Sequence, residues 1–360
     1  MRDNRSLTLR VGSQRHRSSR LGESGYCSES RALNDGGCHP LVMQLGRLRI
    51  SHPFALAPME EHTNPPFRQL MRQLGAGLLC TERIDGSDVA KRDRRAMRLL
   101  ETAPGESPCA GQISGVDPAE LAEAARVVEE RGFAIVDLNF ECPIRRLIQR
   151  GEGGALLADP AAIGRIVAAV VRAVSVPVTL KIRTGPDESN ETCLDVGRAA
   201  EQAGAAAVDL HARSVRQAYV GDADWSAVAR LKQAVSIPVL GSGSIRSPAD
   251  AVRFLRETGA DGVAIGRGCL GRPWIFKQSR ELWQTGVASH EPSLAERGRA
   301  LRQLIEGEFR YYGATVALRR LARTSCYFAK FVPEFESFKR SIHEVRDLAA
   351  FRRLVTEHFR

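Results

Sequence analysis

From Phe54 to Gly268 short apolar runs alternate with amphipathic stretches. The runs are Phe54–Met59, Leu78–Glu82, Cys109–Ile113, Ala134–Phe140, Val176–Ile182, Ala207–Ala212, Ile237–Ser244 and Gly262–Gly268. Each has the length and aliphatic content of a strand buried on both faces. Ala-rich helical stretches lie between several of them, including Pro118–Glu130, Pro160–Val174 and Asp195–Gln202, and Gly132 and Gly204 stand in helix-stop positions. Continuous apolar strands alternating with helices predict a parallel sheet covered by helices. Eight such units over this length predict a (β/α)8 TIM barrel. The alternative is an open doubly wound sheet, but its first turn would carry Gly-x-Gly-x-x-Gly, which is absent here.

After Trp274 the pattern becomes helical only. Leu294–Tyr312, Val316–Phe328 and Val345–Phe359 are amphipathic at helical spacing, and Pro333 separates the second from the third. We therefore expect a barrel over 43–290 and a C-terminal all-helical domain over 291–360. Residues 1–42 are rich in Arg, Ser and Gly, show no sustained period and read as disordered. Their content is similar to a transit peptide, against which stand Asp3, Glu23, Glu29 and Asp35. A true start at Met43 is the equal alternative.

Composition narrows the class. With 360 residues, 43% of them hydrophobic, the chain can bury a sizeable core, and no apolar run is long enough to cross a bilayer. The eight cysteines are scattered, with no Cys-x-x-Cys pair and no His cluster at metal spacing. We expect no metal, no disulfide framework and a reducing, cytoplasmic setting. The net charge of +10 is unevenly distributed. Residues 293–360 hold twelve Arg and two Lys against eight acids, while 43–292 are nearly neutral. That places a polyanionic partner at the C-terminal end.

The chemistry gathers at strand tips, where barrels carry their catalytic groups. The fourth run delivers Asn139 and Cys142 to its end, Pro143 stops it, and Arg145, Arg146 and the glycines Gly151, Gly153 and Gly154 come next. Taken alone, Cys142 is a small buried thiol at a strand end. Runs seven and eight end in Gly241-Ser-Gly-Ser244 and Gly266-Arg-Gly268, a pairing suited to a phosphate. Gln112 ends the third run, Lys181 with Arg183 the fifth, and His211 with Arg213 the sixth. A lysine inside Val178-Thr-Leu-Lys-Ile182 is costly unless an anion or electron-rich ligand meets it.

Taken together, these residues make the chain resemble the tRNA-dihydrouridine synthases, a flavin-dependent family. The resemblance rests on Ala57-Pro-Met-Glu60, Thr81-Glu82, Gly111-Gln112-Ile113, Asp137-x-Asn-x-x-Cys-Pro143 and Gly153-Gly-Ala-Leu-Leu157. It continues through Lys181-Ile-Arg183, His211-Ala-Arg213, Asp224-Trp225, Gly266-Arg267 and Pro273-Trp-Ile-Phe276. The resemblance implies that Pro58 and Met59, with Glu60 beside them, pack against FMN, and that Gln112 and Lys181 hydrogen-bond its ring. It further implies that Ser242, Gly243, Ser244, Gly266 and Arg267 hold the FMN phosphate, and that His211 belongs to the same cofactor wall. Asn139 and Arg213 would bind the target uracil, with Arg145 and Arg146 nearby, and Cys142 would be the general acid. Reduction of the uracil 5,6 double bond needs a hydride at C6 and a proton at C5. A thiol protonated at neutral pH supplies the second. NADPH is the implied reductant, with NADH left open, tRNA the implied partner, and a monomer the simplest assembly.

The chain departs from the family pattern at named places. Ser242-Gly-Ser244 replaces Asn-Gly-Asp, Glu141 replaces the usual Gly before the cysteine, and Arg145 and Arg146 replace a lysine. The Arg-Lys-His run of many members is missing around Leu321-Ala-Arg323. Two other readings stay open. One is a flavin barrel acting on a small molecule, such as a dihydroorotate-type dehydrogenase or an ene-reductase, which would need no basic helical appendage. The other is a non-catalytic RNA-binding protein, which would be colourless.

Overall fold

The computed structural model describes residues 42–330 and 332–360, so the reading of residues 1–41 lies outside the described residues. Among the described residues the barrel strands are β1 (Phe54–Leu56), β2 (Leu79–Cys80), β3 (Cys109–Ser114) and β4 (Ile135–Phe140). They continue with β5 (Val178–Arg183), β6 (Ala207–His211), β7 (Val239–Ser242) and β8 (Gly262–Ile265). They neighbour one another in the order β1-β8-β7-β6-β5-β4-β3-β2. A parallel bridge from Ala55 to Leu78, where Leu56 N–H donates to the Leu78 carbonyl at 2.8 Å, joins the two ends. The sheet is thus a closed barrel and not the open alternative.

Several strands are shorter than their apolar runs because the tips leave the ladder. Pro58 has no N–H to donate, and Gly243 takes φ +118°. Helices Pro118–Glu130, Pro160–Ala173 and Cys193–Gln202 cover the outside close to where periodicity predicts them. Asp117 starts the first by accepting from the Ala119 and Glu120 N–H groups at 2.8 Å.

Period-two alternation sorts each strand. Leu180 and Ile182 of β5, with Val208 and Leu210 of β6, pack outward into the core beneath the helices. Thr179, Lys181, Asp209 and His211 lie between them and face the axis. At the lower end the axis is apolar and small. Ala55, Ala110, Ala207, Leu240 and Ala264 cluster there with Met43, Leu45 and Ile50. Those last three belong to an antiparallel hairpin, Met43–Leu45 with Leu48–Ile50, that the apolar pattern before Phe54 is too short to announce. It presses so closely that a Cβ on Gly262 would come within 2.6 Å of Met43 Sδ.

Past the barrel come α1 (Leu294–Tyr312), α2 (Ala314–Ala329), α3 (Phe335–Ile342) and α4 (Leu348–His358). The short α3 is additional to the three helices expected from periodicity. Barrel and helices belong to one compact unit. Asn64 Nδ2 donates to Glu308 Oε1 at 3.1 Å, Arg323 pairs with Glu61 at 2.7 Å, and Arg98 stacks on Tyr311. The end of α2 thereby reaches the upper mouth of the barrel.

Candidate active site

The upper mouth opens into a cavity of about 770 Å³. Its wall includes Pro58, Met59, Glu60, Gln112, Asn139, Cys142, Lys181, His211, Arg213, Ser242, Gly243, Ser244, Gly266 and Arg267. These side chains come from seven strand tips far apart in the chain, and the barrel closes them around one space. Arg145 and Arg146 are not brought in. They begin the short helix Arg145–Ile148, both are exposed, and Arg146 lines a separate, smaller cavity instead. The guanidinium in the main cavity near the thiol is Arg83, which also borders the smaller one.

Strand register builds the polar layer. Asn139 pairs with Lys181, Lys181 with Asp209, and His211 with Ser242 across neighbouring strands. Gln112 is held at both ends of its amide, because Nε2 donates to Asp137 Oδ2 at 2.7 Å and Oε1 accepts from Asn139 Nδ2 at 3.0 Å. The Asn139 side-chain Oδ1 accepts from the Cys142 N–H at 3.1 Å and folds the tip of β4 back over the mouth. Gly153, at φ +58°, and Gly154 wrap this turn, where the Gly154 N–H donates to the Cys142 carbonyl at 3.1 Å. They support the cysteine loop.

Cys142 is buried on the cavity wall, and burial raises its thiol above the ordinary value. It is therefore protonated at neutral pH, as a proton donor must be. Lys181 is 2% exposed, donates to Ser242 Oγ at 3.0 Å and sits 2.8 Å from Asp209 Oδ1. Burial opposes its charge, but Asp209 and Glu141 outweigh that and hold the ammonium above its usual range. His211 Nε2 lies 3.2 Å from Arg213 Nη1, which can only donate. The imidazole proton is thus on Nδ1, which faces Glu141. Burial brings this ring down to about 4, so it is neutral at pH 7.

The two glycine tips form a cradle. A Cβ on Gly266 would point into the space beside Ala57 and Met59, 3.7 and 3.8 Å from them. Gly268 packs so near the loop after β7 that its Cβ would fall 2.2 Å from the Ile245 carbonyl. Arg213 Nη2 fixes the facing loop by donating to Ser244 Oγ at 2.9 Å and to the Gly221 carbonyl at 2.7 Å. Tyr219 stands at the mouth with Arg183 and Arg267 stacked on its ring at 5.2 and 5.0 Å. Sequence reasoning missed Tyr219, Asp209, Arg83 and Tyr327. Tyr327 comes from α2, outside the strand pattern altogether, and the others lack any local motif.

The chain is similar to known proteins in sequence and in fold. The model of the family described as Dihydrouridine synthase matches residues 55–360. The tRNA-dihydrouridine synthase B of Pseudomonas aeruginosa is 39% identical over 310 residues, covering 86% of this chain and 93% of that protein. The tRNA-dihydrouridine synthase B of Xanthomonas axonopodis is 37% identical over 317 residues, covering 88% and 96%. Among solved structures, histamine dehydrogenase from Rhizobium sp. 4-9 shares the fold at a TM-score of 0.54 and 14% identity, over 74% of this chain and 50% of that one. Morphinone reductase does so at 0.51 and 14%, over 70% and 90%.

Proposed function

This chain belongs to the dihydrouridine synthase family, and on that premise we propose that its large cavity holds FMN and presents a tRNA uridine to Cys142. The observation that carries the reading is one cavity shared by a buried protonated thiol, a buried ammonium and two glycine tips. The residues fit the cofactor. Gly266 lines the cavity without a side chain to fill it, and the tips of β7 and β8 meet beside Arg267, as a flat ring with a phosphate tail requires. Gln112 and Lys181 offer the mixed donor and acceptor set that the pyrimidine edge of a flavin requires.

When bound, FMN would supply hydride chemistry toward C6 of uracil, with NADPH as its reductant. The protein's own work is the rest of the reaction. Lys181 places fixed positive charge where electron density collects, in a site whose dipoles need no rearrangement. Asn139 orients the pyrimidine. Cys142 Sγ gives its proton to C5, so the S–H bond breaks as the C–H bond forms, and solvent restores the thiol. The base leaves the folded tRNA to reach this depth. The basic α1–α4 segment supplies phosphate contacts that position the RNA without reading its sequence.

Anaerobic flavin reoxidation tests this reading. Protein reduced with NADPH is mixed with unmodified tRNA while the flavin absorbance is monitored. Cys142→Ala should slow reoxidation by roughly 10²- to 10⁴-fold with FMN still bound. Reoxidation by tRNA at the wild-type rate in that variant would remove Cys142 from the reaction. A yellow protein indifferent to tRNA would point to a small-molecule acceptor.

A further inference from the structure

Glu141 is a charged cavity residue at a position where the pattern this chain resembles has glycine. Its main chain is fixed on both sides, by an N–H donating to Asn139 Oδ1 at 3.3 Å and a carbonyl accepting from Arg183 Nε at 2.9 Å. The side chain is 14% exposed and lines the cavity. Its Oε2 lies 3.8 Å from Lys181 Nζ and 3.4 Å from His211 Nδ1, both too long for a well-formed hydrogen bond. An incompletely satisfied buried carboxylate is expensive. Burial would raise it, but Lys181 and His211 bring it down to about 2, so it is charged at neutral pH.

Lys181 therefore stands between two carboxylates, Asp209 at 2.8 Å and Glu141 at 3.8 Å, with a neutral His211 beside them. Lys181 thus faces two carboxylates, and the next cation is the Arg183 guanidinium, held on the Glu141 carbonyl at 2.9 Å. With glycine at position 141 the Lys181–Asp209 pair would be balanced. The difference falls where the proposed cofactor would gather charge on reduction.

We propose that Glu141 is a positioning residue for electrons: its carboxylate, acting against Lys181, lowers the reduction potential of the flavin bound in this cavity. The proposal rests on the flavin reading of the site. A lower potential makes the bound cofactor a stronger donor toward C6 and a more reluctant acceptor from NADPH. Glu141 thus shifts effort from one half-reaction to the other without touching Cys142.

The test is a spectroelectrochemical titration of FMN-loaded wild type, Glu141→Gln, Glu141→Gly and Glu141→Asp. Removing one charge should raise the preference for reduced over oxidised FMN about tenfold, which for a two-electron couple moves the midpoint about 30 mV positive. Glu141→Asp keeps the charge and should stay close to wild type. Glu141→Gln is isosteric and decides the matter if the glycine variant loosens the turn. An unchanged midpoint in a Glu141→Gln protein that binds FMN normally overturns this proposal alone. A wild type that takes up no FMN overturns the flavin reading and this proposal with it.

Discussion

At the lower end of the barrel the axis is filled by Ala55, Ala110, Ala207, Leu240 and Ala264 and sealed by Ile50 of the hairpin. Two residues further along the same strands stand Gln112, Asp209 and Ser242, with Asn139 and Lys181 on the strands between. Backbone geometry and burial hardly change between these layers, and the chemistry reverses. The lower layer is held by removing apolar surface from water. The upper layer buries an ammonium and several carboxylates, which is favourable only while each keeps its partner. One end stabilises the scaffold, and the other draws on that stability to hold a reactive arrangement.

Removing Lys181 should break the upper layer hardest. Lys181→Met leaves Asp209 and Glu141 buried without their common cation, which costs about 3–5 kcal/mol. Urea titration should register that loss, and FMN should no longer be retained. Adding Asp209→Asn removes the nearer of the two stranded carboxylates and should restore part of the stability but none of the cofactor. Restored FMN binding in the double variant would mean that Lys181 acts only as a structural counterion.

The lower end should behave in the opposite sense. Ile50 is fully buried in the hairpin seal, and Ile50→Ala should cost about 3 kcal/mol by lost burial and a cavity. Flavin absorbance and the rate per folded molecule should be unaltered. A shifted flavin spectrum in Ile50→Ala would show that the two layers are mechanically coupled.

This contrast also explains what the sequence reveals. All eight strands are legible because each is a short apolar run between helical stretches. Gln112, Lys181 and His211 are legible because a polar residue inside such a run must face something polar. The partner of Lys181 is not. Asp209 is chosen by the register of β5 against β6, a relation no local window contains. Glu141 is visible as an unusual residue, but its reach to Lys181 and His211 depends on a turn bent by Asn139. Arg145 and Arg146 show the converse, since closeness in sequence to Cys142 carries them into a short helix that turns away. The short α3 escapes because it spans only Phe335–Ile342 just after Pro333.

The smallest expected effect separates the two ends by pH. His52 near the lower end, His62 beside the helical segment and His211 in the upper layer are each lowered to about 4, with burial the largest cause. A histidine depressed in the folded state takes up its proton on unfolding. The stability each contributes is complete above about 6.5 and is lost as pH falls through about 4. Asp137 is raised to about 6, chiefly by burial, and acts oppositely, favouring the folded state below about 4 and losing that contribution as pH rises through 6. Among these four groups, acidification from 6.5 to 4 thus removes three contributions and adds one, on the order of 1 kcal/mol apiece after screening, while Asp209, Glu82 and Glu106, raised by burial, offset part of the loss. Urea midpoints should fall across that range, less steeply in His52→Gln and more steeply in Asp137→Asn. FMN affinity reads only the upper layer, so its pH dependence should change in His211→Gln and be untouched in His52→Gln. If both variants altered it equally, the barrel would be titrating as one body, and its two ends would not be separable in function.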